Sequence, residues 1–189
     1  SSKVVTWHQD LNYWGLDEVN EVTAWVALSP STVASGCMRF VPGSHQRSLV
    51  PHTDTFDENN LLSRGQEIAV DVDDTDGVNV ILEPGQSSLH HGHLFHASGP
   101  NTTDHRRVGA AIRFISTSMR QETGDRPLVT LVSGEDAYGH FTVTGPPRGW
   151  LVEEDFELCR RDAAIKRQIL YVGAEKNMGG RYAATHGAY

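Results

Sequence analysis

His8 and Asp10 stand two residues apart near the start of the chain, in Trp7-His8-Gln9-Asp10. On an extended strand both side chains leave from the same face. A neutral imidazole and a carboxylate on one face, joined by a distant second histidine, make a two-histidine, one-carboxylate site. That ligand set binds Fe(II) on one side and leaves positions open for a co-substrate and O2. The distant partner is expected in residues 89–107, where His90, His91, His93 and His96 crowd together. Strand parity puts His90 and His96 on one face and His91 and His93 on the other, and does not choose among them. His93 and His96 both lie at a workable distance before Arg106 and Arg107. An arginine there would hold a dicarboxylate co-substrate, because its planar fork grips a carboxylate with two charge-assisted hydrogen bonds. The set as a whole points to oxygenase chemistry.

Elements must carry these residues. The chain has 189 residues, enough for one domain with a real core. Residues 22–28 (VTAWVAL) are β-branched and aromatic between Asn20 and Ser29-Pro30-Ser31, and read as a strand buried on both faces. Residues 37–41 read as a short strand stopped by Pro42-Gly43-Ser44. Residues 51–66 are polar and irregular, as in a long surface loop of the kind that often forms a lid. Strands are expected again at 78–82, at 87–95 after the turn at Glu83-Pro84-Gly85-Gln86, and at 107–116. Many short strands between Gly/Pro turns indicate an all-β sandwich or barrel. One helix is expected at 153–171. Phe156, Cys159, Ala163 and Ile169 share its inner face, its first turn is acidic, and Lys166 and Arg167 come late. The tail at 173–189 is glycine-rich and poorly specified.

Sixteen Lys and Arg face twenty-four Asp and Glu, a net charge of −8. A phosphate-binding surface wants the opposite sign, so nucleic acid is not an expected partner. No apolar run approaches a membrane span and no signal peptide is visible, so no membrane partner is expected either. Cys37 and Cys159 lie far apart and read as two buried thiols in a reducing, cytoplasmic setting. The chain starts without Met and reaches its first candidate ligand within a few residues, which reads as a fragment lacking its upstream portion. The oligomeric state is not legible.

The motifs resemble the phytanoyl-CoA dioxygenase family of Fe(II)/2-oxoglutarate oxygenases. His8-Gln9-Asp10 resembles its HxD element. Residues 35–45 (SGCMRFVPGSH) resemble its GCxxxxPGSH stretch, and His96-Ala97-Ser98-Gly99-Pro100-Asn101 followed by Arg107 resembles its distal H-[GA]-SG-x-N…R element. The likeness covers about residues 4–120. It implies a double-stranded β-helix (a jelly-roll, cupin-like barrel) with flanking helices. The whole of 1–189 is then one such domain, without the helical region that usually precedes HxD.

The resemblance selects His96 as the third metal ligand with His8 and Asp10, and Arg107 rather than Arg106 for the far carboxylate of 2-oxoglutarate. Ser98 adds a hydroxyl beside that carboxylate, and Trp25 corresponds to an aromatic lining the co-substrate pocket. Arg113 shares strand parity with Arg107 and is a candidate inward charge, toward a structural carboxylate or the substrate. Tyr13 and Trp14 either line the substrate mouth or pack in the core; His45 is expected to be structural. The implied activity is hydroxylation of a C–H bond of a small organic substrate with O2, releasing succinate and CO2. Related halogenases replace the carboxylate ligand with a small residue, and Asp10 argues against that. The alternatives are a non-catalytic metal-binding jelly-roll module and an inactive fragment of such an enzyme.

Overall fold

A computed structural model describes residues 2–175 of the chain. Its contacts fall into two compact units. One is built mainly on the first residues up to Asn12 and on Glu21–Phe114, the other on Tyr13–Asn20 and Ile115–Gly173. The first holds strands β1 (Val5–His8), β2 (Glu21–Ala27), β3 (Met38–Phe40), β4 (His52–Asp54), β5 (Gln66–Ile68), β6 (Val78–Val80), β7 (Ser87–His90), β8 (His96–Ser98) and nearly all of β9 (Gly109–Ile115). The order β1-β8-β3-β6 makes one antiparallel sheet. A second sheet has the order β7-β2-β9, and β4 and β5 pair separately.

The two larger sheets are the halves of a double-stranded β-helix, as expected. They meet through their inner side chains. The His90 ring of β7 lies 5.0 Å from His96 of β8 and 5.1 Å from Phe40 of β3. Phe95, Ala27, Cys37, Met38 and Leu94 are buried in this unit. Its strands are short because turn residues punctuate them. Gly36 and Gly43 adopt positive φ, where a side chain is disfavoured, on either side of β3.

Several sequence expectations need correction. Residues 51–66 are irregular only in part: 55–65 form a connecting loop, and the strands on either side of it pair. β4 pairs with β5 in the register His52↔Ile68 and Asp54↔Gln66, and Arg64 Nε donates to Asp54 at 2.8 Å. The strand expected at 87–95 breaks after His90 and resumes at His96. Gly92 turns the chain there. A Cβ on it would sit 2.6 Å from Leu11 Cγ and 2.8 Å from Glu21 Oε1, so close approach excludes a side chain. The strand at 22–28 ends at Ala27, and Leu28 is exposed. Its residues Val22, Trp25 and Val26 are only half-buried.

The second unit carries the parallel pair β10 (Leu128–Val129) and β11 (Thr142–Val143) and helix α1 (Glu153–Leu170). The helix exists where expected, with Glu153, Glu154 and Asp155 in its first turn, but its inner face was misread. Phe156, Cys159 and Ala163 are exposed, whereas Asp155, Leu158, Asp162, Ile165 and Ile169 turn inward. Asp162 fixes this rotation by accepting from the Leu128 amide at 2.8 Å. Ile169 packs onto Gly124, where a Cβ would lie 2.9 Å from its Cγ1. Cys159 is therefore not a buried thiol; Cys37 is. Most of the glycine-rich tail lies outside the described residues. Among the described residues, no helix is long and apolar enough to cross a membrane.

Candidate active site

The β1–β8 register sets His8 opposite His96, so both rings stand on the inner face of the sheet. β1 ends there. Asp10 does not continue the strand, as its spacing from His8 implied, but opens a 3-10 turn (Asp10–Tyr13). The next residue ties that turn across the barrel end, with Leu11 N donating to Gly92 O at 3.2 Å. The result gathers three donors: Asp10 Oδ1 lies 3.4 Å from His8 Nε2 and 3.9 Å from His96 Nε2. All three ligand atoms fall within 4.8 Å of one another.

The backbone sets the tautomer of both histidines. His8 Nδ1 lies 2.9 Å from the Thr6 carbonyl and His96 Nδ1 2.9 Å from the Leu94 carbonyl. A carbonyl only accepts, so Nδ1 carries the proton and the Nε2 lone pair faces Asp10. Burial, reinforced by His8, pushes His96 down to about 3, which keeps it neutral. Burial opposes ionisation of Asp10, but its surroundings of His8, His96 and Arg113 outweigh this and hold it below the usual carboxylate range. A neutral imidazole at His96 and an ionised carboxylate at Asp10 are protonation states a divalent metal requires of its ligands.

Gln9, between the two, is fully buried. Its Nε2 donates to His93 O at 2.9 Å, its Oε1 accepts from Val50 N at 2.9 Å, and its backbone amide donates to His52 Nε2 at 3.1 Å. It thereby joins β1 to the turn that leads into His96. Ser44, in the Pro-Gly-Ser-His stretch, does similar work. Its hydroxyl donates to Val41 O and accepts from Phe95 N, both at 2.8 Å.

Opposite stands the β2–β7 ladder. Thr23 pairs with His90 and Trp25 with Ser88, so these four share the inner face. The Arg107 guanidinium carbon lies 5.3 Å from the Trp25 ring centre. Arg107 is half-buried, and burial pulls it down from its ordinary value. It has no hydrogen-bond or ion-pair partner among the described residues. Gly109 allows Trp25 to lie against β9, since a Cβ there would strike the indole at 2.1 Å. Arg113, two same-face steps along β9, acts electrostatically on both Asp10 and Glu21.

The expected residues thus divide. His8, Asp10 and His96 converge, and Trp25 and Arg107 adjoin each other on the facing sheet. Ser98 is buried on β8, one same-face step beyond His96. Tyr13 and Trp14 fall in the second unit, where Tyr13 is buried and Gln121 Nε2 donates to Trp14 O at 2.8 Å. His93 is not in the cluster; its carbonyl serves Gln9. His45 lies against His91, ring centres 6.3 Å apart.

Sequence reading missed Glu21, Gln9, Thr23 and Ser88. Glu21 is buried; its Oε1 accepts from Gly92 N and lies 3.8 Å from His91 Nδ1. Burial raises it to about 7, with Asp10 adding to the rise and the Gly92 bond and Arg113 opposing it. The available signal was an acid opening an otherwise apolar strand, at the same parity as Thr23 and Trp25.

A "Probable phytanoyl-CoA dioxygenase" of Caenorhabditis elegans is 26% identical over 155 residues, covering 82% of this chain and 44% of that protein. The solved apo structure of ThoJ, a non-heme monooxygenase, superposes with a TM-score of 0.78 at 34% identity, over 91% of this chain and 62% of that one. EvdO2 from Micromonospora carbonacea var. aurantiaca, complexed with 2-oxoglutarate, gives a TM-score of 0.55 at 31% identity, over 64% of this chain and 48% of that one. The chain spans less than half the length of the nematode relative. The model of the phytanoyl-CoA dioxygenase (PhyH) family matches residues 1–109, more than half of the sequence, and the chain belongs to that family.

Proposed function

We propose that this chain forms the catalytic barrel of an Fe(II)- and 2-oxoglutarate-dependent dioxygenase that hydroxylates a C–H bond of a small organic substrate. The observation that carries this reading is Arg107. A half-buried guanidinium with no carboxylate partner among the described residues is costly unless a ligand supplies the anion. It lies on the wall facing the histidine–aspartate cluster, where a metal binder with no co-substrate has no use for it.

The cluster fits a ferrous ion. Neighbouring donors that share an ion at about 2.1 Å each lie roughly 3.0–3.4 Å apart; the separations of 3.4 and 3.9 Å come to within about half an ångström of this, a gap that small side-chain rotations close. His8, Asp10 and His96 would hold the metal on one side. When bound, iron with 2-oxoglutarate and O2 supplies the oxidising chemistry, with succinate and CO2 as co-products. The chain's own residues hold, orient and exclude water. The Thr6 and Leu94 carbonyls fix the imidazoles, Arg107 and Ser98 take the far carboxylate of 2-oxoglutarate, and Trp25 walls its carbon chain. Arg113, on the inner parity of β9, is the candidate contact for an anionic or hydroxylated part of the substrate. The net charge of −8 offers no footprint for nucleic acid.

The test uses the full-length protein loaded with Fe(II). It should bind 2-oxoglutarate in the absence of O2 and form succinate when O2 is admitted. A metal-loaded protein that binds no 2-oxoglutarate would sink the reading in favour of a metal-binding module.

A further inference from the structure

Besides Glu21 Oε2, the inner face of the β2–β7 ladder carries three buried polar atoms with no hydrogen-bond partner among the described residues: Thr23 Oγ1, His90 Nδ1 and Ser88 Oγ. Thr23 and His90 are themselves almost fully buried. Buried polar groups are normally paired, so three unpaired ones in adjacent positions need a cause. They are not scattered. Thr23 and His90 face each other on one rung, and Ser88 faces Trp25 on the next. The first rung is at the metal end, since His90 lies 5.0 Å from His96. The second is at the arginine end, since Trp25 adjoins Arg107. Same-face rungs are about 7 Å apart, comparable to the reach of an extended five-carbon diacid from its keto end to its far carboxylate.

We infer that Thr23, His90 and Ser88 are further co-substrate-binding residues, with Thr23 and His90 donating to the carboxylate beside the keto group and Ser88 donating, with Arg107, to the far carboxylate. This rests on the oxygenase reading above. The two hydroxyls are free to rotate toward an acceptor, and a neutral imidazole with its proton on Nδ1 is a third donor. All three atoms are buried, where a hydrogen bond to a charged group is worth more than in water. Among the described residues none of the three atoms has another hydrogen-bond partner.

The experiment measures binding to the Mn(II)-loaded full-length protein without turnover, using two probes: 2-oxoglutarate, and oxalate, which lacks the far carboxylate. Thr23→Val should weaken both probes about ten-fold, and His90→Phe should act on both in the same direction. Ser88→Ala should weaken 2-oxoglutarate by a similar factor and leave oxalate unchanged. Thr23→Ser, which restores a hydroxyl, should recover most of the loss. A second readout separates binding from scaffolding. Removing an unsatisfied hydroxyl should leave the melting temperature of the ligand-free protein unchanged or raised, whereas a structural role would lower it together with affinity.

Thr23→Val and Ser88→Ala proteins that bind 2-oxoglutarate as the wild type does, while Arg107→Leu does not, would overturn this inference and leave the oxygenase reading standing. Loss of ligand-free stability in parallel with affinity would also overturn it. A wild-type protein that takes up Mn(II) but binds neither probe would overturn both.

Discussion

The two inner walls of the barrel treat their histidines differently. On the β1–β8 wall, His8 and His96 each give Nδ1 to a carbonyl two residues back, at 2.9 Å. On the β2–β7 wall, His90 Nδ1 has no such carbonyl, and Thr23 and Ser88 on the same face are equally unsatisfied. The difference follows from local backbone. His8 and His96 lie at a strand end and just after a turn, where a preceding carbonyl is free to bend toward the ring. His90 lies at the end of a regular strand whose groups are used in the ladder with β2. The first wall is arranged before any ligand arrives; the second is left for a ligand to complete.

The largest effect that tests this contrast is at the metal. Asp10→Ala removes the donor shared by both histidines. Loss of a residue that merely supports a ligand weakens metal binding about 10–100-fold, so loss of the ligand itself should exceed that in a divalent-metal titration. Retained affinity would show that another group, such as His90, completes the site. The next effect is at the arginine. Arg107→Leu should leave metal affinity nearly unchanged and weaken 2-oxoglutarate binding by on the order of 2–5 kcal/mol, the usual cost of truncating one partner of a buried charge pair. If Arg106→Leu or Arg113→Leu reproduces the loss and Arg107→Leu does not, the anchor is misassigned.

Much of the barrel was legible in the sequence, because short β-branched runs and Gly/Pro turns report strand positions directly. The histidine and aspartate at the end of β1 were visible as a pair, although a turn rather than a strand delivers Asp10. Choosing His96 over His93 was not possible from parity, because the chain breaks at Gly92 and parity is not transmitted through a turn. The helix was legible and its inner face was not. Phe156 and Cys159 are the more apolar choice, but the Asp162 bond to the Leu128 amide, made by residues 34 apart, rotates them outward. Gln9 and Glu21 escaped for a related reason: their roles depend on backbone groups of distant turns.

Gln9 tests how firmly the β1–β8 wall is set. Gln9→Leu keeps the volume but leaves Val50 N and His93 O without the partners they have at 2.9 Å. Each abandoned buried group costs about 1–3 kcal/mol, so chemical denaturation should show a loss of roughly 3–4 kcal/mol. Metal affinity should fall too, because His93 precedes His96 in the same turn. A variant that loses stability but keeps full metal affinity would mean that the turn holds His96 unaided.

The smallest effect concerns Glu21 and carries a definite pH signature. Its carboxyl is raised from an ordinary 4.5 to about 7, chiefly by burial, so the folded protein prefers it protonated. Between these two values the folded state binds more protons than the unfolded state, and stability must fall as pH rises. The loss begins near pH 4.5 and is complete above about pH 7; at most it amounts to about 3 kcal/mol, at 1.36 kcal/mol per unit. Glu21→Gln retains an oxygen to accept from Gly92 N and cannot ionise, so the variant should match the wild type at pH 4 and exceed it at pH 8. Arg113→Gln should enlarge the wild-type loss, because Arg113 is a charge that favours ionised Glu21. Urea denaturation across this range decides the matter. A wild type and Glu21→Gln pair whose stabilities stay parallel from pH 4 to pH 8 would mean that the Glu21 carboxylate is fully compensated in the fold. The β2–β7 wall would then hold one fewer unsatisfied group than the structure assigns to it.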